Sequence, residues 1–273
     1  TIKTGLRYDS FQHTGRSHVS PRASLSWQMS ELTSLTASTG LYYQNLPMIL
    51  LVQDPNSHAL RDFKAIHNIF GVSHLLSENT RFTLEAYQKK YYDFPMDPRQ
   101  PGLFLLDEIF YRYAFFFSHN GSVSQGRAES HGVEITVQKK LAEKWYGMAG
   151  LSFFKSRYRG LDGVWRDRVF DNRFLASLEG GYKPSAAWEL SARWVYAAGA
   201  PYTPLDLNKS AQAASEVLDA DGINARRYPA YHSLNLRFDR RFHFTEANLI
   251  FYLSAWNLYD RKNIADYFWN EKE

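Results

Sequence analysis

Residues 231–263 read YHSLNLRFDRRFHFTEANLIFYLSAWNLYDRKN and predict one β-hairpin. In its first half the apolar Leu234, Leu236 and Phe238 alternate with polar and charged residues, so one face of the strand is apolar and the other is polar. The chain then reverses near 243–246 and continues through a stretch rich in the aromatic and β-branched residues that suit a sheet. Formal charges in the middle of a long strand are unusual for a soluble β-protein.

The composition limits the class of protein. Aromatic residues make up 16% of the 273 residues, and no apolar run approaches the roughly 18 residues of a membrane helix. This combination fits a membrane β-barrel, while a soluble β-sandwich or propeller is the alternative. The chain has no cysteine, which excludes disulfides and thiolate metal sites. Its net charge of +4 comes from interleaved acidic and basic residues, so nucleic acid is a poor candidate partner.

The same alternation recurs along the chain and predicts about eleven strands, the first two joined by a polar loop at 12–21. After this, long and short connections alternate, and the strands are about as long as the ~9 to 11 residues that cross a bilayer. Both properties are typical of an outer-membrane barrel with short periplasmic turns and long extracellular loops. The predicted loops lie near 44–62, 93–126, 158–172 and 199–230, and the predicted turns near 30–31, 77–79, 141–144, 183–185 and 243–246.

We therefore predict an all-β, antiparallel up-and-down transmembrane β-barrel. An odd number of strands cannot close a barrel of the usual even kind, and an open edge in lipid leaves backbone groups unpaired. We expect residues 1–273 to form part of a larger barrel, and the start of the chain within a strand agrees with this expectation.

Two stretches resemble TonB-dependent outer-membrane receptors. The terminal hairpin has a proline–aromatic entry at Tyr228, Pro229 and Tyr231, and its second strand ends in the sequence Asn-Leu-Tyr-Asp at 257–260. The stretch AAGAPYTPLDL at 197–207 is similar to the entry of the preceding long loop in that family. The resemblance implies a barrel of 22 strands, of which this chain would form about the C-terminal half, without the final strand.

The resemblance also implies a location and a set of partners. Members of the family lie in the bacterial outer membrane and import a scarce nutrient, such as a siderophore, cobalamin or an oligosaccharide. The partners are then outer-membrane lipid, a small-molecule ligand, an N-terminal plug domain and an inner-membrane energy-coupling protein. Neither the plug nor the coupling box is present in these residues, so we expect both to lie outside this chain.

Polar side chains of the alternating strands are expected to point into the barrel lumen. There they either pair across strands and contact the plug, which is the preferred interpretation, or contact the substrate directly. Apolar residues such as Ile135 would face lipid, and Trp188, Trp256 and Tyr259 would form an interfacial girdle. The predicted luminal residues are Glu85, Glu134, Glu189, Arg193, Asn235, Arg237 and Asp239.

Aromatic residues of the 93–126 loop are the candidates for ligand capture, because aromatic rings stack on ligands and loops carry binding function. The alternative is that the loop packs on itself. The nine histidines show neither an HExxH motif nor the paired spacing of a zinc site, so we predict no metal and no cofactor. The candidate ligand-binding residues are Phe104, Phe110, Tyr111, Tyr113 and Phe115, followed by Phe116 and Phe117.

Two further functions stay open as alternatives, an outer-membrane hydrolase and a passive porin. A hydrolase needs a serine activated by a histidine, and the sequence offers His18 with Ser20 and His232 with Ser233. Neither pair has a visible third partner or a glycine-framed nucleophile. We therefore predict that the protein is not an enzyme.

Overall fold

The computed structural model describes residues 1–52, 55–107 and 119–270, and most of them form a single antiparallel sheet. Eleven long strands follow one another across the sheet in chain order, which confirms the predicted strand number and up-and-down arrangement. Among the described residues the first and the last of these strands form the two edges. A three-residue strand, β8 (Trp165–Asp167), adds to β7 (Trp145–Arg159), and β11 (Pro201–Tyr202) pairs with β12 (Arg226–Arg227) in a separate two-stranded sheet. The strands are β1 (Ile2–Phe11), β2 (Arg16–Gln28), β3 (Thr33–Gln44), β4 (Phe63–Ser77), β5 (Thr80–Met96), β6 (Val123–Ala142), β7 (Trp145–Arg159), β8 (Trp165–Asp167), β9 (Phe174–Ser185), β10 (Trp188–Ala197), β11 (Pro201–Tyr202), β12 (Arg226–Arg227), β13 (Tyr231–His243) and β14 (Asn248–Ala255).

Apart from the short turn 12–15, the connections at one end of the sheet are much longer than those at the other. At one end the strands are joined by turns at 29–32, 78–79, 143–144, 186–187 and 244–247, and we call this the turn end. At the other end, the loop end, the connections are 12–15, 45–62, 97–122, 160–173 and 198–230. Helix α1 (Met48–Leu51), a 3-10 helix (Pro55–Ala59) and helix α2 (Leu207–Ala213) lie in these loops. No helix among the described residues is long and apolar enough to cross a membrane.

Strand register sorts the side chains onto two faces. Ile135 of β6 lies opposite Leu84 of β5 and Leu151 of β7, so three apolar residues form one row. The neighbouring Thr136 lies opposite Thr83 and Gly150 on the other face. The apolar face is largely exposed, as Leu6 at 78% and Phe153 at 50% illustrate. A wide exposed apolar face on a folded sheet needs a nonaqueous environment.

The tight β6–β7 turn depends on backbone conformation at two residues. Ala142 pairs with Trp145, which leaves Glu143 and Lys144 as a two-residue loop. Both have positive φ, 50° and 77°, as a type I′ hairpin turn requires. The mirror-image twist of this turn matches the right-handed twist of the flanking strands.

Several strands are longer at the loop end than their alternation predicts. The predicted polar loop at 12–21 is wrong from Arg16 onward, because Gly15 with a φ of 66° closes a tight turn and Arg16 pairs with Phe11. Pro21 is tolerated within β2 because it lies just beyond the ladder with β3, which starts at Arg22. Backbone pairing does not need apolar side chains, so it continues past the apolar band. For the same reason β5 extends to Met96 and β6 begins at Val123.

Candidate functional site

The polar face carries a hydrogen-bonded network at the turn end of β7, β10 and β13. Glu189 accepts a hydrogen bond from Tyr146 and forms an ion pair with Arg241 at 2.6 Å. Asp239 lies opposite Glu189 in register and accepts two hydrogen bonds from Arg237, at 2.9 and 2.7 Å. The buried Asp239 and the half-buried Glu189 therefore each have an arginine partner, as the cost of burying an unpaired charge demands. The predicted luminal residues Glu189, Arg237 and Asp239 thus lie together.

A concavity of about 650 Å³ opens beside this network on the polar face. The predicted Arg193 and Arg237 line it, and Arg193 lies 3.7 Å from Glu179 of the adjacent strand. Trp256 also lines the concavity, so its prediction as a residue of a lipid-facing girdle is wrong. The reason is register, because Trp256 lies two residues after Ser254, which pairs with Arg237 on the polar face. The walls include the basic residues Lys139, Arg193 and Arg237, the carboxylate of Glu179 and the indole ring of Trp256, so the lining is mixed in charge and its indole suits an aromatic ligand.

Glu85 and Glu134 belong to a different part of the polar face. They lie directly opposite each other on β5 and β6, flanked by the pair of Thr83 and Thr136. Like charges directly opposite each other destabilise a sheet unless a counter-charge or hydrogen-bond donor approaches them. The structure therefore separates the predicted luminal residues into two groups, one around Glu85 and one around Arg237.

The described parts of the long loop-end connections fold against the loop-end half of the polar face, and we call residues 45–52, 55–62, 97–107, 160–173 and 198–230 the loop shell. Phe104 is 2% exposed, and its ring contacts those of Phe94 and Tyr158 at centroid distances of 4.9 and 4.8 Å. The Tyr158 hydroxyl donates to the Gly102 carbonyl at 2.8 Å. The predicted ligand-binding residue Phe104 thus lies in a packed aromatic core, and a ligand could reach its ring only if the loop moved. The role of Phe104 in binding stays a prediction.

Arginine–aspartate pairs join separate segments of the loop shell. Asp171 is fully buried and accepts hydrogen bonds from Arg173 and, at 2.7 Å, from Arg227. Both arginines also contact Asp167 at 2.8 Å. Arg168, by contrast, forks onto both carboxylate oxygens of Asp107, with its shortest contact at 2.5 Å. Charge-assisted hydrogen bonds of this kind, and the bidentate Arg168–Asp107 pair above all, are directional, so they fix the geometry of the loops as well as stabilising them.

Charge pairing shifts the acidity of the loop carboxyls. Side-chain hydrogen bonds from Arg99 lower the pKa of Asp97 below its usual value, against an opposing contribution from burial. Hydrogen bonds from Arg166 likewise lower the pKa of Asp162. Burial raises the pKa of Asp167, but the hydrogen bonds and charges of Arg173 and Arg227 outweigh it, so the net pKa is lowered. These carboxylates therefore stay ionised and paired at neutral pH.

A cluster of three tyrosines was missed by the reasoning from sequence. Tyr202 stacks on Tyr228 at 4.3 Å, and Tyr267 lies 5.3 Å from the first ring and 5.5 Å from the second. Tyr228 also donates to Asp266. The cluster joins the loop shell to the segment after β14, which lacks the period-two alternation used to find strands. High local aromatic content at 267–269 was the available signal.

The histidine–serine pairs make other contacts. His18 lies 2.8 Å from Asp62 and stacks on Tyr43, while Ser20 lies two residues along the same strand. His232 hydrogen-bonds the Tyr259 hydroxyl at 2.6 Å, and Ser233 donates to Asn235. Because adjacent residues of a strand point to opposite faces, His232 cannot activate Ser233.

The remaining predictions concern a metal site and the other aromatic residues of the 93–126 loop. Within residues 1–52, 55–107 and 119–270 there is no cluster of three or more histidine or acidic side chains that could hold a metal ion. The remaining candidate aromatic residues lie outside the described residues, so their part in binding stays a prediction. They are Phe110, Tyr111, Tyr113, Phe115, Phe116 and Phe117.

The sheet has one apolar and one polar face, its connections are mostly short at one end and long at the other, and the loop shell folds against the polar face. These features together define a wall of a transmembrane β-barrel. The family model described as "TonB dependent receptor-like, beta-barrel" matches residues 1–258. The chain belongs to this family, which confirms the resemblance of the two stretches near the C-terminus. No curated protein sequence matches the chain.

Solved structures with the same fold are transporters and receptors. The outer-membrane transporter YddB from Escherichia coli aligns over 96% of this chain and 39% of its own, with a TM-score of 0.69 at 13% identity. The FrpB iron transporter from Neisseria meningitidis aligns over 95% of this chain and 38% of its own, with a TM-score of 0.65 at 14% identity. The ferric-catecholate import receptor Fiu from E. coli K12 aligns over 92% of this chain and 32% of its own, with a TM-score of 0.61 at 13% identity. The chain thus spans about two fifths or less of each structure, and these similarities establish the fold alone. It is an antiparallel up-and-down barrel wall that forms part of a larger barrel.

Proposed function

We propose that the protein containing this chain is an outer-membrane receptor that takes up a scarce nutrient with energy passed from the inner membrane. Family membership supports this proposal, and so do the names of the similar structures, which include iron transporters. The observation that carries it is the pairing of an exposed apolar face with a polar face under a packed loop shell. Such a wall suits a barrel with lipid outside and a polar passage inside.

The orientation follows from the two ends of the sheet. The loop end lies at the cell surface and the turn end in the periplasm, as short periplasmic turns and long external loops are typical of such barrels. The loop shell then takes up ligand from outside, and the polar face lines the route inward. A plug domain and an inner-membrane energy-coupling protein complete the system from outside this chain.

The substrate is a small molecule of the siderophore, cobalamin or oligosaccharide classes. Trp256 favours an aromatic-bearing compound among these, because an indole stacks on rings. Arg193 and Arg237 would bind an anionic group of the ligand in exchange for their carboxylate partners Glu179 and Asp239. Ferric siderophores with carboxylate or catecholate groups have this chemistry. Glu85 and Glu134 lie elsewhere on the polar face and would contact the plug.

Labelled uptake in the native bacterium tests the proposal. Cells with and without the gene are given iron-loaded siderophores, cobalamin and an oligosaccharide, each with the energy-coupling protein intact or inactivated. We expect uptake of one of these classes of compound to disappear both when the gene is absent and when the energy-coupling protein is inactivated. Uptake that depends on the gene but not on energy coupling would identify a passive porin and contradict the proposal. Hydrolysis of a supplied lipid ester by the purified protein, abolished in the Ser20→Ala or Ser233→Ala variant, would identify a hydrolase.

A further inference from the structure

Three polar side chains form a row on the otherwise apolar face of β3, β4 and β5. Thr39 lies opposite Asn68, and Asn68 lies opposite Gln88, which follows Leu84 of the apolar face by four residues. All three are exposed, and we call them the outward polar row. The apolar residues that flank the row on β3 and β4, toward the turns and toward the loops, are Ala37, Phe70, Leu41 and Ile66. The row therefore lies within the apolar band and not beyond its edge.

The amide groups of the outward polar row lack hydrogen-bond partners. The Thr39 hydroxyl donates to the Asn68 Oδ1 atom at 2.8 Å. Within the described residues, neither the amide nitrogen of Asn68 nor the side chain of Gln88 makes a hydrogen bond, although each amide nitrogen can donate two. Lipid acyl chains can neither donate nor accept a hydrogen bond, so these unpaired groups are unfavourable in the hydrocarbon layer. The row therefore requires a polar partner at its own depth in the membrane.

A hollow of about 790 Å³ lies beside the outward polar row on the same face of the sheet. The small side chains of Ala23, Ala37 and Ala86 line it together with the row. Large apolar side chains project next to them, since Leu25 opposite Ala37 is 48% exposed and Phe70 between Ala37 and Ala86 is 51% exposed. Small residues on a membrane-facing surface let a second backbone approach closely. The surface thus presents a recess beside a projecting phenylalanine ring.

The chemistry of the outward polar row identifies the partner. Thr39, Asn68 and Gln88 carry no charge, so the row does not call for a charged lipid headgroup. Amide and hydroxyl groups both donate and accept hydrogen bonds, so a surface that carries them is complementary to a copy of itself. Two copies in one membrane share the same orientation, and a twofold axis along the membrane normal brings equivalent residues together at the same depth. A second copy of the protein therefore supplies the required polar groups at the required depth.

We propose that the protein forms a twofold-symmetric dimer in the membrane through the apolar face of β3, β4 and β5. The outward polar row lies at the centre of the interface, where the amides of Asn68 and Gln88 donate to side-chain oxygens of the second copy. The Phe70 ring of each copy packs into the hollow of the other, against Ala37 and Ala86. The interface uses only the outer surface of the wall, so this inference goes beyond the proposed function and is independent of the nutrient that passes through the lumen.

Dimer formation by the full-length protein in lipid vesicles tests the proposal. Fluorescently labelled protein is reconstituted at a series of protein-to-lipid ratios, and the fraction of dimers is counted by single-molecule photobleaching. The variant Asn68→Leu/Gln88→Leu removes both amides and should fold, because leucine suits a lipid-facing position. The matched control, His74→Leu/Thr80→Leu, removes two polar side chains from the same face of β4 and β5 outside the hollow. We expect dimerisation to weaken about tenfold or more in the amide variant and less than about twofold in the control.

A substitution that fills the hollow tests the shape of the interface separately from its hydrogen bonds. Ala37→Trp should weaken dimerisation about tenfold or more, because the indole occupies the space that the Phe70 ring of the second copy needs. Ala149→Trp is the control, since Ala149 lies on the same face of β7 outside the hollow. Electrophoretic mobility without heating verifies that each barrel is folded. Equal effects of the two tryptophan substitutions would contradict the assigned interface.

Cysteine cross-linking in native membranes remains informative if one of these variants fails to fold. The chain contains no cysteine, and any cysteine outside it is replaced by serine. Oxidation with copper phenanthroline should join Asn68→Cys to a second copy, giving a reducible species of twice the mass, whereas Ile135→Cys should stay monomeric. A wild type that is monomeric at every protein-to-lipid ratio, equal losses in the two leucine variants, or equal cross-linking of the two cysteines would overturn the proposal. Because nutrient uptake is measured separately, failure of this inference is distinguishable from failure of the proposed function.

Discussion

Arg227 donates a hydrogen bond of 2.7 Å to the fully buried carboxylate of Asp171, 56 residues earlier in the chain. The same guanidinium group contacts the carbonyl oxygens of Asp171 and Gly199. One side chain thus holds two long loops together at the end of the sheet. The connections 160–173 and 198–230 are therefore joined by charged contacts of a single guanidinium group.

Replacing Arg227 by alanine should loosen the 198–230 loop. Asp171 would keep its hydrogen bond from Arg173 but lose the one from Arg227. Losing a donor to a buried carboxylate costs about 1–3 kcal/mol of local stability. Limited proteolysis of the purified protein should cut this loop faster than in the wild type. The neighbouring Arg226→Ala serves as the control because, within the described residues, the Arg226 side chain makes none of the carboxylate and carbonyl contacts that Arg227 makes. Equal cleavage in the two variants would contradict the role assigned to Arg227.

Replacing Gly199 by alanine should distort the same region for a steric reason. A Cβ atom at this position would lie 1.7 Å from the Tyr228 carbonyl oxygen, so the backbone must shift. We expect a loss of roughly 1–3 kcal/mol, measured as a lower midpoint of thermal unfolding. Gly5→Ala is the control, since nothing lies within 4 Å of its added Cβ atom. A Gly199 variant as stable as the Gly5 variant would show that the close approach is unimportant.

Acid should weaken the loop shell before it affects the strands. The pKa of Asp97 is lowered from its ordinary 3.8 in the folded protein, mainly by hydrogen bonds from Arg99. Its contribution to stability is therefore complete above the ordinary value and is lost as the pH falls through the lowered pKa. Hydrogen exchange in residues 97–107 should accelerate, relative to its intrinsic rate, as the pH drops below about 4. In the Asp97→Asn variant this change should be smaller, and an unchanged acid response would argue against this pair.

The two faces of β6 should respond differently to a charge. Arginine in place of Ile135 would point into lipid and cost about 2–4 kcal/mol at the bilayer midplane. Arginine in place of the adjacent Thr136 would point into the polar lumen and should assemble almost normally. Quantification of folded protein in outer-membrane fractions tests this difference. Equal assembly of the two variants would remove the assignment of faces.

The strand order was predictable from sequence because apolar and polar side chains alternate every two residues along a strand, so a short stretch is enough to identify one. In β13, Leu234, Leu236 and Phe238 mark one face unambiguously, and the register with β10 follows from it. The upper ends of β5 and β6 were not predictable, because outward polar residues such as Lys90 and His131 break the alternation while the backbone ladder continues.

The candidate site was predictable only in part. Register could place Arg193 and Arg237 on the polar face, since this depends on local sequence. Contacts such as that of Arg227 with Asp171 join residues far apart in the chain, and no local pattern encodes them. The position of Trp256 was mistaken because its place near a strand end suggested a girdle, whereas its face depends on the register of β14.

Single-cysteine labelling in intact cells tests the central claim most directly, because the claim places the long connections outside the cell. The chain contains no cysteine, so a single introduced cysteine is the only thiol of the chain that a maleimide can label. Pro98→Cys and Asn208→Cys lie in the loop shell, and Glu143→Cys lies in the β6–β7 turn. A membrane-impermeant maleimide should label the first two in intact cells and the third only after the outer membrane is permeabilised. Labelling of the Glu143 position alone in intact cells would contradict the orientation and, with it, the proposed route of uptake.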